Sequence, residues 1–223
     1  MSQKNTRPIL GLVRELLIVV AGILIAFSLN NWAEGLKEKK IQKEYLRSLI
    51  SDLDKDLILL QTNLDSINGL KNKAAQLTQH VFQPGLPGRA QAALDGFAKL
   101  TQAPYFYPNS ASYQTLTNSG DLKYIHDLEL RNKIVDHYKK YEVLDGENYR
   151  SRVFMESSVI PYYMEQTDFR KVFTMKGEEY FDDPRFTNIL LAYSGIFYIV
   201  AIRYEEAIER CKALKESIEL ELS

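Results

Sequence analysis

The chain has a single cysteine, Cys211, so an internal disulfide framework is excluded. Proline and glycine are scarce, 7 and 11 among 223 residues, which excludes a low-complexity or linker-like chain. Neither sign of charge is in excess, since 28 basic residues face 29 acidic ones for a formal net charge of −1. A nucleic-acid binder carries a basic excess or a clustered basic face, and nucleic acid is therefore not an expected partner. Catalytic motifs are missing too. No Gly-x-Gly-x-x-Gly or Gly-x-x-x-x-Gly-Lys-Ser run is present to cradle a phosphate. Ser119, in Asn118-Ser-Gly120, lacks the flanking glycines of a nucleophile elbow and reads as a helix end. His80, His126 and His137 stand in no metal-ligand spacing, and solvated or capping roles are expected of them. The acidic pairs Glu178-Glu179 and Asp182-Asp183 are expected to be solvated loop residues rather than a calcium site. No enzymatic activity, cofactor or metal is expected.

What is present begins with an apolar run from Leu16 to Leu29. Its fourteen residues rise only about 21 Å as a helix, short of a hydrocarbon core of about 30 Å. Ile9 to Val13 extend it upstream, and Asn30-Asn-Trp32 supply an interfacial end; Pro8 to Trp32 would rise about 37 Å. Residues 9–32 are therefore read as one transmembrane helix behind a short tail, residues 1–8, with the lipid bilayer as the first partner. Small residues at Ala26-Phe-Ser28 resemble a signal cleavage site, but charged helix follows at once, so the anchor is expected to be retained. Arg14 can snorkel to the headgroups, whereas Glu15 belongs either at the interface or against a partner helix. Gly22-x-x-x-Ala26 is a small-x-x-x-small pair that permits close helix approach. Glu15, Gly22, Ala26 and Asn30 are thus the candidate intramembrane association face, toward a second copy or another membrane protein. Basic residues lie on both sides, Lys4, Arg7 and Arg14 before and Lys37, Lys39, Lys40 and Lys43 after. A literal count favours a cytoplasmic C-terminal side, but the short acid-free tail suits a signal-anchor with its N-terminus inside and an external domain.

A long amphipathic helix follows, residues 36–82. Leu46, Ile50, Leu53, Leu57, Leu60, Leu64 and Ile67 alternate steps of four and three, a heptad seam. Asp52, Asp54, Lys55, Asp56 and Asp65 lie off this seam, so Asp56→Asn is expected to be nearly silent. Pro84-Gly-Leu-Pro87 ends the helix. A second seam runs through Phe186, Leu190, Tyr193, Phe197, Val200, Tyr204, Ala207, Cys211, Leu214 and Ile218, in a helix over residues 186–222. Residues 188–202 are apolar enough to suggest a second span, but their periodicity continues into charged helix, and they are read as core. Antiparallel packing of the two seams satisfies both, with Cys211 as a buried small hydrophobe.

Shorter helices are expected over residues 90–167. Ala90 to Leu100 is one. Ser110 or Ser112 caps a second, which ends at Gly120, and Asp127 caps a third, with Leu130, Ile134, Tyr138 and Tyr141 on one face. A further helix from Glu147 to Gln166 meets Pro161, which should kink or interrupt it. Residues 168–185 read as a loop. Among 14 tyrosines, Tyr105, Tyr107, Tyr113, Tyr162 and Tyr163 form a candidate aromatic interface or pocket, although tyrosines at such spacing also fill seams between helices.

The phrase Ser112-Tyr-Gln-Thr-Leu-Thr-Asn-Ser-Gly-Asp-Leu122, followed by Glu129-Leu-Arg-Asn-Lys133, resembles a bacterial family known only as a domain of unknown function. Glu15-Leu-Leu-Ile-Val-Val-Ala-Gly-Ile-Leu-Ile-Ala26 with Asn30-Asn-Trp32 is similar to that family's start. The resemblance implies a membrane-anchored helical protein and no particular activity.

The expectation is thus an all-α chain: one transmembrane helix, then an elongated helical bundle over residues 33–223. Its expected place is the bacterial inner membrane with the bundle in the periplasm. The expected role is non-enzymatic binding, sensing or scaffolding beside the membrane. The alternatives are an accessory subunit of a larger membrane complex and, further off, a metal-dependent hydrolase whose ligands meet only in the fold.

Overall fold

A computed structural model describes residues 7–168, 170, 174–175 and 181–223. Residues 1–6 of the expected tail, and the Glu178-Glu179 pair, lie outside the described residues. The chain is helical almost throughout: α1 (Arg7–Phe82), α2 (Arg89–Leu100), α3 (Ala111–Asn118), a 3₁₀ turn (Asp121–Tyr124), α4 (Leu128–Phe154), a π turn (Met155–Val159), α5 (Ile160–Gln166) and α6 (Pro184–Leu222). Among the described residues, the expected loop after α5 contains an antiparallel pair of two-residue strands, β1 (Thr167–Asp168) and β2 (Thr174–Met175).

The first difference from expectation is continuity. The apolar segment and the first heptad helix form one helix of 76 residues, with no joint at residues 33–35. Nothing there breaks a helix: Asn30, Asn31 and Gly35 are weak helix formers, but a lone glycine costs only about 1 kcal/mol and no proline intervenes. The described side chains of the apolar segment are exposed; Leu16, Leu17, Ile18 and Ile23 are each more than 60% exposed. By length and composition, α1 and α6 could each cross a membrane. They differ in packing, since α6 buries Phe186, Leu190, Tyr193, Phe197 and Val200 as its periodicity predicts.

Four legs run up, down, up and down in chain order, a simple bundle topology. The first is α1 from about Ile41 onward. Gln42 on α1 donates to Glu221 on α6, and Asn63 donates to Tyr204, so α6 returns antiparallel along the whole leg. The second leg is α2, an extended stretch and α3. Its contacts with α1 fall in reverse order, Asn109 on Asp56, Ser112 on Asp52 and Asp121 on Tyr45. The third leg joins α4, the π turn and α5 without a gap, which merges the two helices expected over residues 127–166. Pro161 explains the π turn: it has no N–H for the preceding turn, and the backbone widens there instead of breaking.

The heptad seam of α1 is buried as expected at Leu46, Leu53, Leu60 and Ile67, while Ile50 and Leu57 are half-buried. A second stripe of α1, Leu49, Asp56, Asn63, Leu70 and Leu77 at sevenfold spacing, is buried as well. That overturns the reading of Asp56 as an off-seam residue of no consequence. Asp56 is fully buried, and Asp52 nearly so. The second leg is irregular, so its backbone N–H groups need acceptors from outside it. Asp56 Oδ1 accepts from the Asn109 N–H at 2.7 Å and from Asn109 Nδ2 at 2.8 Å. Asp52 accepts the N–H of Ser112, in the first turn of α3, at 3.1 Å. Ser110 occupies the cap position of α3 but makes no capping bond, so the cap comes from α1. Asp127 acts as read and accepts from Glu129 N at 2.8 Å, whereas Asp183, expected only as a solvated loop residue, caps α6 by accepting from Arg185 N at 2.8 Å. Gly120 takes φ +75°, a conformation glycine adopts without strain. Gly96 lets α2 approach α1, since a Cβ there would stand 2.8 Å from Leu77 Cδ1.

Candidate functional site

The tyrosines proposed from sequence do not share one surface. Tyr162 is fully buried beside Phe186, with ring centroids 5.9 Å apart, and Tyr163 is half-buried on the core. Tyr113 stacks on Tyr138 at 4.1 Å between α3 and α4. These three fill seams. Tyr105 and Tyr107, 4.5 Å apart, do border a cavity, in the extended stretch of the second leg.

That cavity, of about 170 Å³, opens between all four legs. Its apolar wall is Ile67 of α1, Tyr193 and Val200 of α6, and Met155, the first residue of the π turn. Ala103 and Pro104 close one side. Its polar wall comes from α4: Asn148, Ser151 and Arg152. The chain is drawn over it by a buried relay. Asn63 Nδ2 donates to the Tyr105 carbonyl and to the Tyr204 hydroxyl, each at 3.2 Å, and Tyr204 donates to Asn148 Oδ1 at 3.5 Å. The Tyr105 hydroxyl donates to Asp145, and this bond pushes the phenol up to about 12. Tyr193 donates to the Leu100 carbonyl at 2.9 Å, and burial raises it likewise to about 12. Both phenols stay neutral at physiological pH and serve as rings and donors, not as bases.

Asn148, Ser151 and Met155 were absent from the sequence reading. A signal existed: the inward stripe Ile134, Tyr141 continues by sevens to Asn148, and a polar residue on an apolar stripe marks a buried polar site.

A second buried polar group lies lower in the bundle. His137 is 4% exposed, and among the described residues neither ring nitrogen has a hydrogen-bond partner. This corrects the expectation that it is solvated or a cap; it sits on the core face of α4, its ring edge-on to Tyr141 at 4.4 Å. Burial, aided by the nearby Arg210, pushes it down to about 4. Tyr141 lies beside both Asp56 and Cys211. Burial raises the Asp56 carboxyl above its usual value against the two Asn109 bonds, and it raises the Cys211 thiol to about 12. His80 and His126 stand apart from this group: His80 packs against Phe181, and His126 lies 3.8 Å from Glu38. Among the described residues no three His, Cys, Asp or Glu side chains come together as a metal-binding group.

In the apolar segment, Glu15, Gly22, Ala26 and Asn30 are all exposed, and among the described residues nothing lies within 4 Å of a Cβ placed on Gly22.

Comparison with protein families matches residues 15–193 to a family of unknown function, DUF6090. The match spans well over half of the chain, and the chain belongs to this family. Neither the curated proteins nor the solved structures provide a match.

Proposed function

We propose that this protein is a single-pass membrane protein whose bundle is a non-enzymatic binding or sensing module held beside the bilayer. One observation carries the reading: residues 14–32 are exposed all round, on a helix that runs without a break into the bundle. A soluble chain exposing that much contiguous apolar surface would aggregate, whereas a bilayer covers it. The bundle then starts within a few turns of the headgroups, and α6 ends near Gln42, so both long helices meet the membrane side. The pocket is walled by Ile67 and tied to Asn63, both on the anchor-bearing helix. Occupancy of the pocket therefore bears directly on α1, which suits a sensor.

The test is extraction. The full chain expressed in bacteria should stay in the membrane pellet after an alkaline carbonate wash, with the intact mass of the uncleaved chain. Release into the supernatant, or a mass that begins near Leu29, sinks the reading. We place the bundle in the periplasm of a bacterial inner membrane; protease added to intact spheroplasts should then degrade it.

A second reading is an accessory subunit of a larger membrane complex. The Glu15, Gly22, Ala26 and Asn30 face favours it, because a carboxylate near the bilayer is stabilised by a polar partner and small residues allow close approach. Native mass in mild detergent separates the cases: a monomer disfavours both self-association and a stable complex.

A further inference from the structure

We propose that the pocket beneath Tyr105 and Tyr107 takes a small single-ring monocarboxylate. This rests on the reading of the bundle as a binding module and names the ligand class. Size comes first. A cavity of about 170 Å³ is close to the roughly 150 Å³ that holds one benzene ring in an apolar protein cavity. Its walls suit a flat ring: Ile67, Val200 and the Tyr193 ring are fully buried, and Tyr105 and Tyr107 form the lip.

Charge comes second. Asn148 is 4% exposed, and its carbonyl oxygen is committed to the Tyr204 hydroxyl. The same relay fixes the orientation of the amide, since Tyr204 already accepts from Asn63 and must donate to Asn148. Asn148 Nδ2 is thereby left as a buried donor with no partner among the described residues, and Asn148 is one of the residues that line the pocket. A buried N–H left without an acceptor is costly, so an acceptor on a ligand is favoured there. At the mouth stands Arg152, its guanidinium 5.5 Å from the ring centroids of both Tyr105 and Tyr149. Among the described residues it has no ion-pair partner, and its donors remain open to a carboxylate. Asp145, which accepts the Tyr105 hydroxyl, faces the same ring. That acid opposes a second negative charge, which favours a monocarboxylate over a dicarboxylate. An amine on the same ring would meet Arg152 and a donor amide.

The experiment titrates the full chain in detergent with benzoate, benzylamine and benzyl alcohol, followed by protein-observed NMR and calorimetry. Benzoate should saturate, and benzylamine should bind at least tenfold more weakly. Arg152→Gln should weaken benzoate about tenfold while leaving benzyl alcohol unchanged. Tyr107→Ala, at an exposed lip residue, should weaken benzoate and benzyl alcohol alike. If benzylamine binds as tightly as benzoate, or Arg152→Gln binds benzoate unchanged, the ligand class is wrong and the binding reading survives. If none of the three probes saturates on protein that still melts cooperatively, the pocket itself is not a binding site.

Discussion

Asp56 on α1 holds Asn109 by both its backbone N–H and its side-chain amide, at 2.7 and 2.8 Å, across 53 residues of sequence. With the Asp52 bond to Ser112 it fixes where the second leg changes from extended chain to helix. The phrase from Ser112 to Leu122, which carries the family resemblance, therefore starts at a carboxylate of α1 rather than at a cap of its own.

Asp56→Asn should consequently cost stability, on the order of 1–2 kcal/mol, because one neutral oxygen replaces a charge-assisted acceptor for two donors. Asp56→Ala should cost more, since both Asn109 donors lose their acceptor. Leu57→Asp should also destabilise, but less than Leu60→Asp, because Leu57 is half-buried and Leu60 fully buried. Urea unfolding of the four variants ranks them; an unchanged midpoint for Asp56→Ala, which removes the acceptor of both Asn109 bonds, would refute the latch.

The bundle should be acid-labile through His137. The group is pushed down to about 4 in the fold from an ordinary 6.5, so the unfolded chain takes up its proton first. Its neutral form favours the fold fully above about pH 6.5, and that contribution is lost as pH falls toward 4. Between pH 7.5 and pH 5 the loss is about 2 kcal/mol. Asp56 has the opposite sign: its raised carboxyl favours the fold when protonated, and it offsets part of the loss only at lower pH. His137→Leu should flatten the stability profile from pH 7.5 to 5, as read by urea midpoints at each pH.

Cys211 should be inert in the native protein. Its thiol is fully buried, held up to about 12, and donates to the Leu53 carbonyl at 3.5 Å. Maleimide labelling should be negligible until denaturant unfolds the bundle, and then stoichiometric. Fast labelling at neutral pH without denaturant would mean that α1 and α6 separate readily.

Gly22→Ile should lower self-association in a transmembrane association assay, while Ile23→Leu should not. Among the described residues nothing lies within 4 Å of a Cβ placed on Gly22, so added bulk there acts on a partner helix rather than on this chain's own packing. Equal association by both variants and the parent would make this face ordinary lipid-facing surface.

Local pattern alone determined the helices. The spacing of Leu46 to Ile67 and of Phe186 to Ile218 specified two long helices, and Asp127 and Gly120 marked ends where the backbone needs a cap or a turn. Those signals act within a few residues of themselves, so they can be read from one strand of text. Even the continuity of α1 was accessible, since residues 33–35 contain no true breaker. What lies on the second face of each helix was not. Asp52, Asp56 and Asn63 look like solvated positions on an isolated α1; they are buried only because an irregular second leg brings unsatisfied N–H groups against them. His137 is silenced by the same closure, against α6. The pocket draws Ile67, Tyr105, Asn148 and Val200 from four legs of the bundle, and no local spacing relates them. Burial and the pairing of polar groups depend on which neighbours arrive, and only the tertiary structure decides that.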